Sequence, residues 1–151
     1  LLNSRITKFM IEKFYIYGSV FPKIQIFQLK EMPLISISKE QQLPFVILVD
    51  WILFAKENKM EKELSTIESA LDAMVADLYF EEELKRAGCY ILDKLSTILK
   101  PIQENDSLDS KKEYLTSLYK FFLQDKVIYN SLIHRRTIDS IKILYGDKND
   151  R

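Results

Sequence analysis

The chain has 151 residues, 47% hydrophobic and 12% aromatic, which is enough for one buried core and excludes a disordered polyampholyte. Its 22 basic and 22 acidic residues cancel, so bulk charge gives no argument for a polyanionic partner. The distribution is uneven: residues 1–40 carry six Lys/Arg against three Asp/Glu, residues 41–106 seven against thirteen, and residues 107–151 nine against six.

Cys89 is the only cysteine, which excludes an internal disulfide framework and suits a reducing, cytoplasmic compartment. No neighbouring His or second Cys would lower its pKa, so it reads as a small buried hydrophobe. The longest apolar run, Leu43 to Val49, is far short of the ~20 residues that span a bilayer, and no membrane partner is expected. No secretory leader is visible at the start. Leu1 is not an initiator methionine, so the chain reads as a piece of something longer.

In chain order, Leu2, Ile6, Phe9, Met10 and Lys13 lie at helical spacing with Asn3 or Ser4 as a cap, predicting a short helix over 3–15. Tyr15 to Ser19 breaks it. Ile24 and Ile26 alternate with Lys23 and Gln25, the period of a half-buried strand over Lys23 to Phe27, which Pro22 and Pro33 confine to an edge. Leu34 to Ile37 is a second extended candidate. Ser38 with Gln41 three residues on has capping-box form, so a helix begins there with Pro44 in its early turns and runs to about Asn58. Phe45, Leu48, Ile52 and Ala55 mark its core line. Val46, Val49, Leu53 and Phe54 widen the apolar surface to most of the circumference, predicting burial on more than one side.

Leu64, Ile67, Leu71, Met74 and Leu78 step by 3, 4, 3 and 4, the seam of a second long helix that pairs antiparallel with the first across a short polar connection. Phe80 to Leu99 reads as continued helix, with Gly88 at a close contact, until Lys100-Pro101 stops it. Residues 102–110 form a polar loop, helices follow near 110–124 and 125–144, and 146–151 is a charged tail. The expected fold is therefore mainly α: a small β-containing N-terminal portion, an antiparallel helical hairpin and further helices.

Chemistry is sparse. His134 is the only histidine and nothing near it has ligand spacing, so it reads as a helix-surface residue beside Arg135 and Arg136. Glu81-Glu82-Glu83 reads as an acidic first turn, since adjacent helix residues do not face one another. Gly18, Gly88 and Gly146 are isolated and form no phosphate loop. From Arg5 to Lys30 basic and aromatic residues interleave, a pattern that holds phosphates and stacks on bases.

Several blocks carry a resemblance: Leu2-Asn3-Ser4-Arg5-Ile6-Thr7-Lys8-Phe9, then Phe21-Pro22-Lys23-Ile24, then Leu29-Lys30-Glu31-Met32-Pro33-Leu34, then Gln41-Gln42-Leu43-Pro44-Phe45-Val46-Ile47-Leu48-Val49-Asp50-Trp51-Ile52-Leu53. Their order resembles the end of a TaqI-like target-recognition domain of the type IIG restriction–modification, adenine-specific DNA methyltransferases, and is similar to the domain-to-helix transition of type I specificity subunits. Ile67 through Leu84, with Leu71-Asp72-Ala73-Met74-Val75-Ala76-Asp77-Leu78-Tyr79-Phe80-Glu81-Glu82-Glu83, looks like the helical tail that follows in many such enzymes, and Leu118-Tyr119 with Thr137-Ile138-Asp139-Ser140-Ile141-Lys142-Ile143 is similar to its last part.

The resemblance implies that residues 1–40 end a recognition domain and residues 41–145 form a helical spacer and docking tail. It also implies double-stranded DNA and a methyltransferase domain, of the same or a partner chain, as partners. S-adenosylmethionine would belong to the parent enzyme, with no cofactor in this chain. Lys8, Lys13, Lys23 and Lys30 are the expected phosphate contacts. The family's catalytic motifs are missing: no two prolines are adjacent, no glycine pair suggests a methyl-donor loop, and no Pro-Asp dipeptide suggests a nuclease core. The expected role is therefore non-catalytic, in DNA target recognition and positioning of the reader. The alternative is a helical protein–protein interaction module without a DNA role. An enzyme in its own right would need a cleft joining His134 or Cys89 to carboxylates.

Overall fold

The computed structural model describes residues 4–15 and 30–145. The first helix, α1 (Arg5–Met10), starts at Ser4, whose Oγ accepts from the Thr7 N–H, and continues as a π-helical turn over Ile11–Tyr15. The expected strand over Lys23 to Phe27 lies outside the described residues, as does the tail 146–151. Leu34 to Ile37 is without regular secondary structure, and no strand occurs among the described residues. The fold is mainly α.

The next helix, α2 (Lys39–Glu57), begins where the capping box places it. Ser38 Oγ accepts from the Gln41 N–H at 3.2 Å and Gln41 Oε1 accepts from the Ser38 N–H at 2.9 Å, so two donors that no helical carbonyl could reach are satisfied. At the far end Lys59 takes φ 55°, while the Met60 N–H reaches the Ala55 carbonyl and the Lys59 N–H that of Lys56. This is a Schellman turn built on a lysine. The tight reversal sends α3 (Glu61–Tyr79) back along α2, and Glu61 and Glu63 complement the dipole at its start.

The hairpin buries Ile47, Leu48, Trp51 and Ala55 of α2 against Ile67, Ala70, Ala73 and Met74 of α3. Alanines at three of these positions, Ala55, Ala70 and Ala73, leave room for the helices to approach closely. The expected core line is rotated: Phe45 and Ile52 are only partly buried, as are Leu64 and Leu71 of the seam. Nor is α2 buried on more than one side. Leu43, Val46, Val49 and Leu53 are all exposed, Leu43 the most at 57%.

Phe80 to Leu99 is not one helix. It divides into α4 (Glu81–Arg86) and α5 (Leu92–Ile98), separated by Gly88 at φ 65°. The Cys89 N–H donates to the Leu84 carbonyl and the Gly88 N–H to that of Lys85, a complete Schellman stop. Gly88 therefore supplies a left-handed residue, not a close contact, since nothing lies within 4 Å of the Cβ position.

The Lys100-Pro101 stop is held from both sides: Trp51 Nε1 donates to the Lys100 carbonyl at 2.8 Å and the Lys100 N–H donates to Tyr114 Oη at 3.0 Å. After the loop come α6 (Leu108–Gln124), capped by Ser107, and α7 (Lys126–His134), capped by Asp125. Leu115, Leu118, Phe122 and Ile128 complete the first core. The expected final helix breaks after His134 into a 3-10 turn (Arg135–Thr137), α8 (Asp139–Lys142) and a 3-10 turn (Ile143–Tyr145). This end covers a second, smaller core of Ile6, Met10, Met32, Val75, Ala76, Leu84, Cys89 and Ile141. One helix, α3, serves both cores.

Candidate functional site

The candidates for chemistry or recognition among the described residues are the basic residues of the first helix, an apolar groove beside α2 with a smaller cleft at the Lys100-Pro101 corner, and a buried charged node on α3. Lys8 and Lys13 are exposed on the first helix, five residues apart, so they do not share a face as residues three or four apart would. Lys8 pairs with Glu12 at 3.8 Å, both side chains being more than half exposed. Lys30 is exposed just before the buried Met32, and Lys23 lies outside the described residues. Arg5 Nε donates to Asp72 Oδ2 at 2.9 Å, which ties the first helix to the middle of α3.

The groove follows from the exposed side of α2. Phe45, Val46, Val49, Ile52 and Leu53 of α2, Leu71 and Val75 of α3, and Ile35 and Ile37 of the link before α2 line a groove of about 1010 Å³. Its charged lining residues are Glu68 and Asp72. A smaller cleft of about 410 Å³ lies at the Lys100-Pro101 corner, beside the stacked Trp51 and Tyr114 rings, whose centroids are 4.7 Å apart.

The charged node was missed by sequence reasoning, and the signal for it was present. Ala70, Met74 and Asp77 step by 4 and 3 along the buried face of α3, while Ile128, Ser131 and Arg135 step by 3 and 4 along that of α7 and the turn after it. Each buried stripe thus ends in a charge, and the charges are opposite. Asp77 and Arg135 side chains are 0% and 4% exposed, with Arg135 Nη2 donating to Asp77 Oδ1 at 3.1 Å. Asp77 Oδ2 accepts from the Ile91 and Leu92 N–H groups, both at 2.8 Å, and so caps α5, whose own N-cap residue Ile91 offers no side-chain acceptor. Burial pushes the Asp77 carboxyl up to about 6 although Arg135 and the two N–H donors pull it down. His134 is exposed, as expected of a helix-surface residue, and so is Arg136, whereas Arg135 between them turns inward to Asp77.

Cys89 is buried in the second core, and burial pushes its thiol up, away from the nucleophilic thiolate form. Among the described residues no group of three or more His, Cys, Asp or Glu is placed to hold a metal ion. Glu81, Glu82 and Glu83 occupy the first turn of α4, where their charge complements the helix dipole. A further carboxylate, Asp125, caps α7 through the Val127 and Ile128 N–H groups and pairs with Lys94. Burial raises its carboxyl, but Lys94 and those donors outweigh burial and hold it below the ordinary value. No helix among the described residues is long and apolar enough to cross a membrane. The chain matches no protein-family model, no curated protein and no solved structure.

Proposed function

We propose that this chain is a non-catalytic part of a restriction–modification adenine DNA methyltransferase, in which the end of the target-recognition domain is carried on a helical arm that sets its position relative to the catalytic domain. The observation that carries the reading is the joint between the two parts. Ile6, Met10 and Met32 of the first forty residues share one core with Val75, Ala76, Leu84, Cys89 and Ile141 of the arm, and Arg5 is paired with Asp72 across the same seam. A reader joined by a flexible linker has no fixed register; one packed into its arm does. Base flipping gives the reason for such stiffness, because unstacking the target base costs a few kcal/mol that correctly placed contacts on the flanking DNA must offset.

On this reading Lys8, Lys13, Lys23 and Lys30 hold phosphates, which positions the protein without specifying sequence. S-adenosylmethionine binds the catalytic domain of the same or a partner chain. The test is the coding sequence upstream of Leu1. A reading frame that continues through a methyl-donor glycine loop and an Asn-Pro-Pro-aromatic motif, in this gene or in the adjoining gene of the same operon, is the expected result. A genomic neighbourhood with neither overturns the assignment.

A second reading, a helical protein–protein interaction module without a DNA role, is favoured by one observation: the exposed stripe Leu43, Val46, Val49 and Leu53 along α2. Duplex binding at low salt separates the two, because phosphate contacts give a steep salt dependence and an apolar protein interface does not.

A further inference from the structure

The charged node lies where the two cores meet. Asp77 belongs to the helix they share, Arg135 to the turn where the chain leaves the first core to cover the second, and the Ile91 and Leu92 N–H groups to the start of α5. Beyond Arg135 the elements are short. Residues 135–145 form two 3-10 turns and a four-residue helix, too short to be stable alone. Ile141 is the fully buried apolar anchor among their described side chains, with Ile138 and Leu144 partly buried and Ile143 60% exposed. Such a unit opens locally at a lower free energy than the hairpin core, which is closed by Leu48, Trp51, Ile67, Met74, Leu115 and Phe122.

We propose that the Asp77–Arg135 pair is a latch: residues 135–145 lift as a unit when it parts, uncovering the second core while the α2–α3–α6–α7 core stays folded. The latch is a conformational device apart from the DNA role argued above, and it connects the segment carrying Arg5 and Lys8 to the C-terminal end through the core they share. Cys89 is its built-in reporter. The thiol lies in the covered core and feels the charges of both Arg135 and Asp77.

The groups facing Asp77 set the direction of its pH dependence. Arg135 comes from the turn after α7, Cys89 and Tyr90 from the loop before α5, and only Arg135 is charged at neutral pH. Closed, the carboxyl is buried and titrates near 6; open, it is hydrated and returns toward 3.8. The closed form therefore holds its proton more tightly, so acid favours closure. Opening increases as pH rises from 4 through about 6 and then levels off.

The test is labelling of Cys89 in the full chain by 4,4′-dithiodipyridine at pH 4.5 and 7.5, each rate divided by that of the guanidinium-unfolded chain at the same pH. The expected result is a normalised rate at least tenfold higher at pH 7.5, almost independent of urea below the global transition because local opening exposes little surface. Asp77→Asn removes the pH dependence. Labelling with the urea slope of global unfolding, or a normalised rate that does not change with pH, overturns the latch. The wild-type urea series decides the matter even should the Asp77→Asn chain not fold.

Discussion

Trp51 gives the sharpest test of the packing, because its side chain is both the largest in the first core and the fastening of the Lys100-Pro101 corner. It is 2% exposed, lies in a tilted stack with Tyr114 at 4.7 Å and an edge contact with Phe54 at 5.6 Å, and donates its indole N–H to the Lys100 carbonyl at 2.8 Å. Trp51→Ala removes all of this and leaves a large cavity, for a cost of about 3–5 kcal/mol. Trp51→Phe keeps a ring for Tyr114 and Phe54 but loses the donor; since Lys100 is exposed and its carbonyl can turn to water, the hydrogen bond accounts for about 1 kcal/mol and the smaller ring for about 1 more. Against the ~5–15 kcal/mol of a whole domain, the alanine variant is marginal and the phenylalanine variant folded. Urea unfolding followed by far-UV circular dichroism measures both, since the chain has no other tryptophan for fluorescence. An alanine variant less than about 1 kcal/mol below wild type, or a phenylalanine variant as damaged as the alanine one, would refute the idea that Trp51 joins the core to the corner.

Three further outcomes follow from the same geometry. Ile67→Asp places a charge at a position with no exposure and should abolish cooperative unfolding, while Leu71→Asp, half-buried in the lining of the groove, should fold with a lower Tm; the reverse order would misplace the seam. Lys59→Gly should raise stability by about 0.5–1 kcal/mol in urea titrations by relieving the left-handed conformation at φ 55°, and a loss would contradict the Schellman assignment. For Asp77, whose folded value is raised, the stabilising contribution is fully present below 3.8 and is lost as pH rises through about 6. The stability of wild type minus that of Asp77→Asn should therefore fall by about 2 kcal/mol between pH 4 and pH 7, and a flat difference would contradict burial as the cause.

Local signals were legible in the sequence where the chain itself supplies the partner. Ser38 and Gln41 cap α2 as their spacing requires, and Lys100-Pro101 ends a helix. Gly88 was visible but its purpose was not: a glycine within helical periodicity serves either a close contact or a left-handed stop, and only the Cys89 and Gly88 hydrogen bonds to Leu84 and Lys85 decide. Long-range chemistry was harder. Asp77 and Arg135 are 58 residues apart, and each looks like an ordinary surface charge until it is placed on its own buried stripe. The exposed Val46 and Leu53 carry the opposite lesson, because an apolar helix does not disclose which of its faces finds a neighbour within the same chain. Of the expected DNA contacts, Lys8, Lys13 and Lys30 lie in the open, but helical spacing alone does not gather them into one patch.

On the proposed function the N-terminal segment belongs to a DNA reader held rigidly by the helical arm. Duplex DNA binding by this chain, and by a version extended upstream, measured from 50 to 300 mM salt tests it most directly. The expected result is binding by the extended protein at low salt, falling steeply as salt rises, with a shallower slope when Lys8, Lys13 and Lys30 are replaced by Ala. Failure of both proteins to bind duplex DNA at the lowest salt would contradict it and leave the exposed face of α2 as the functional surface.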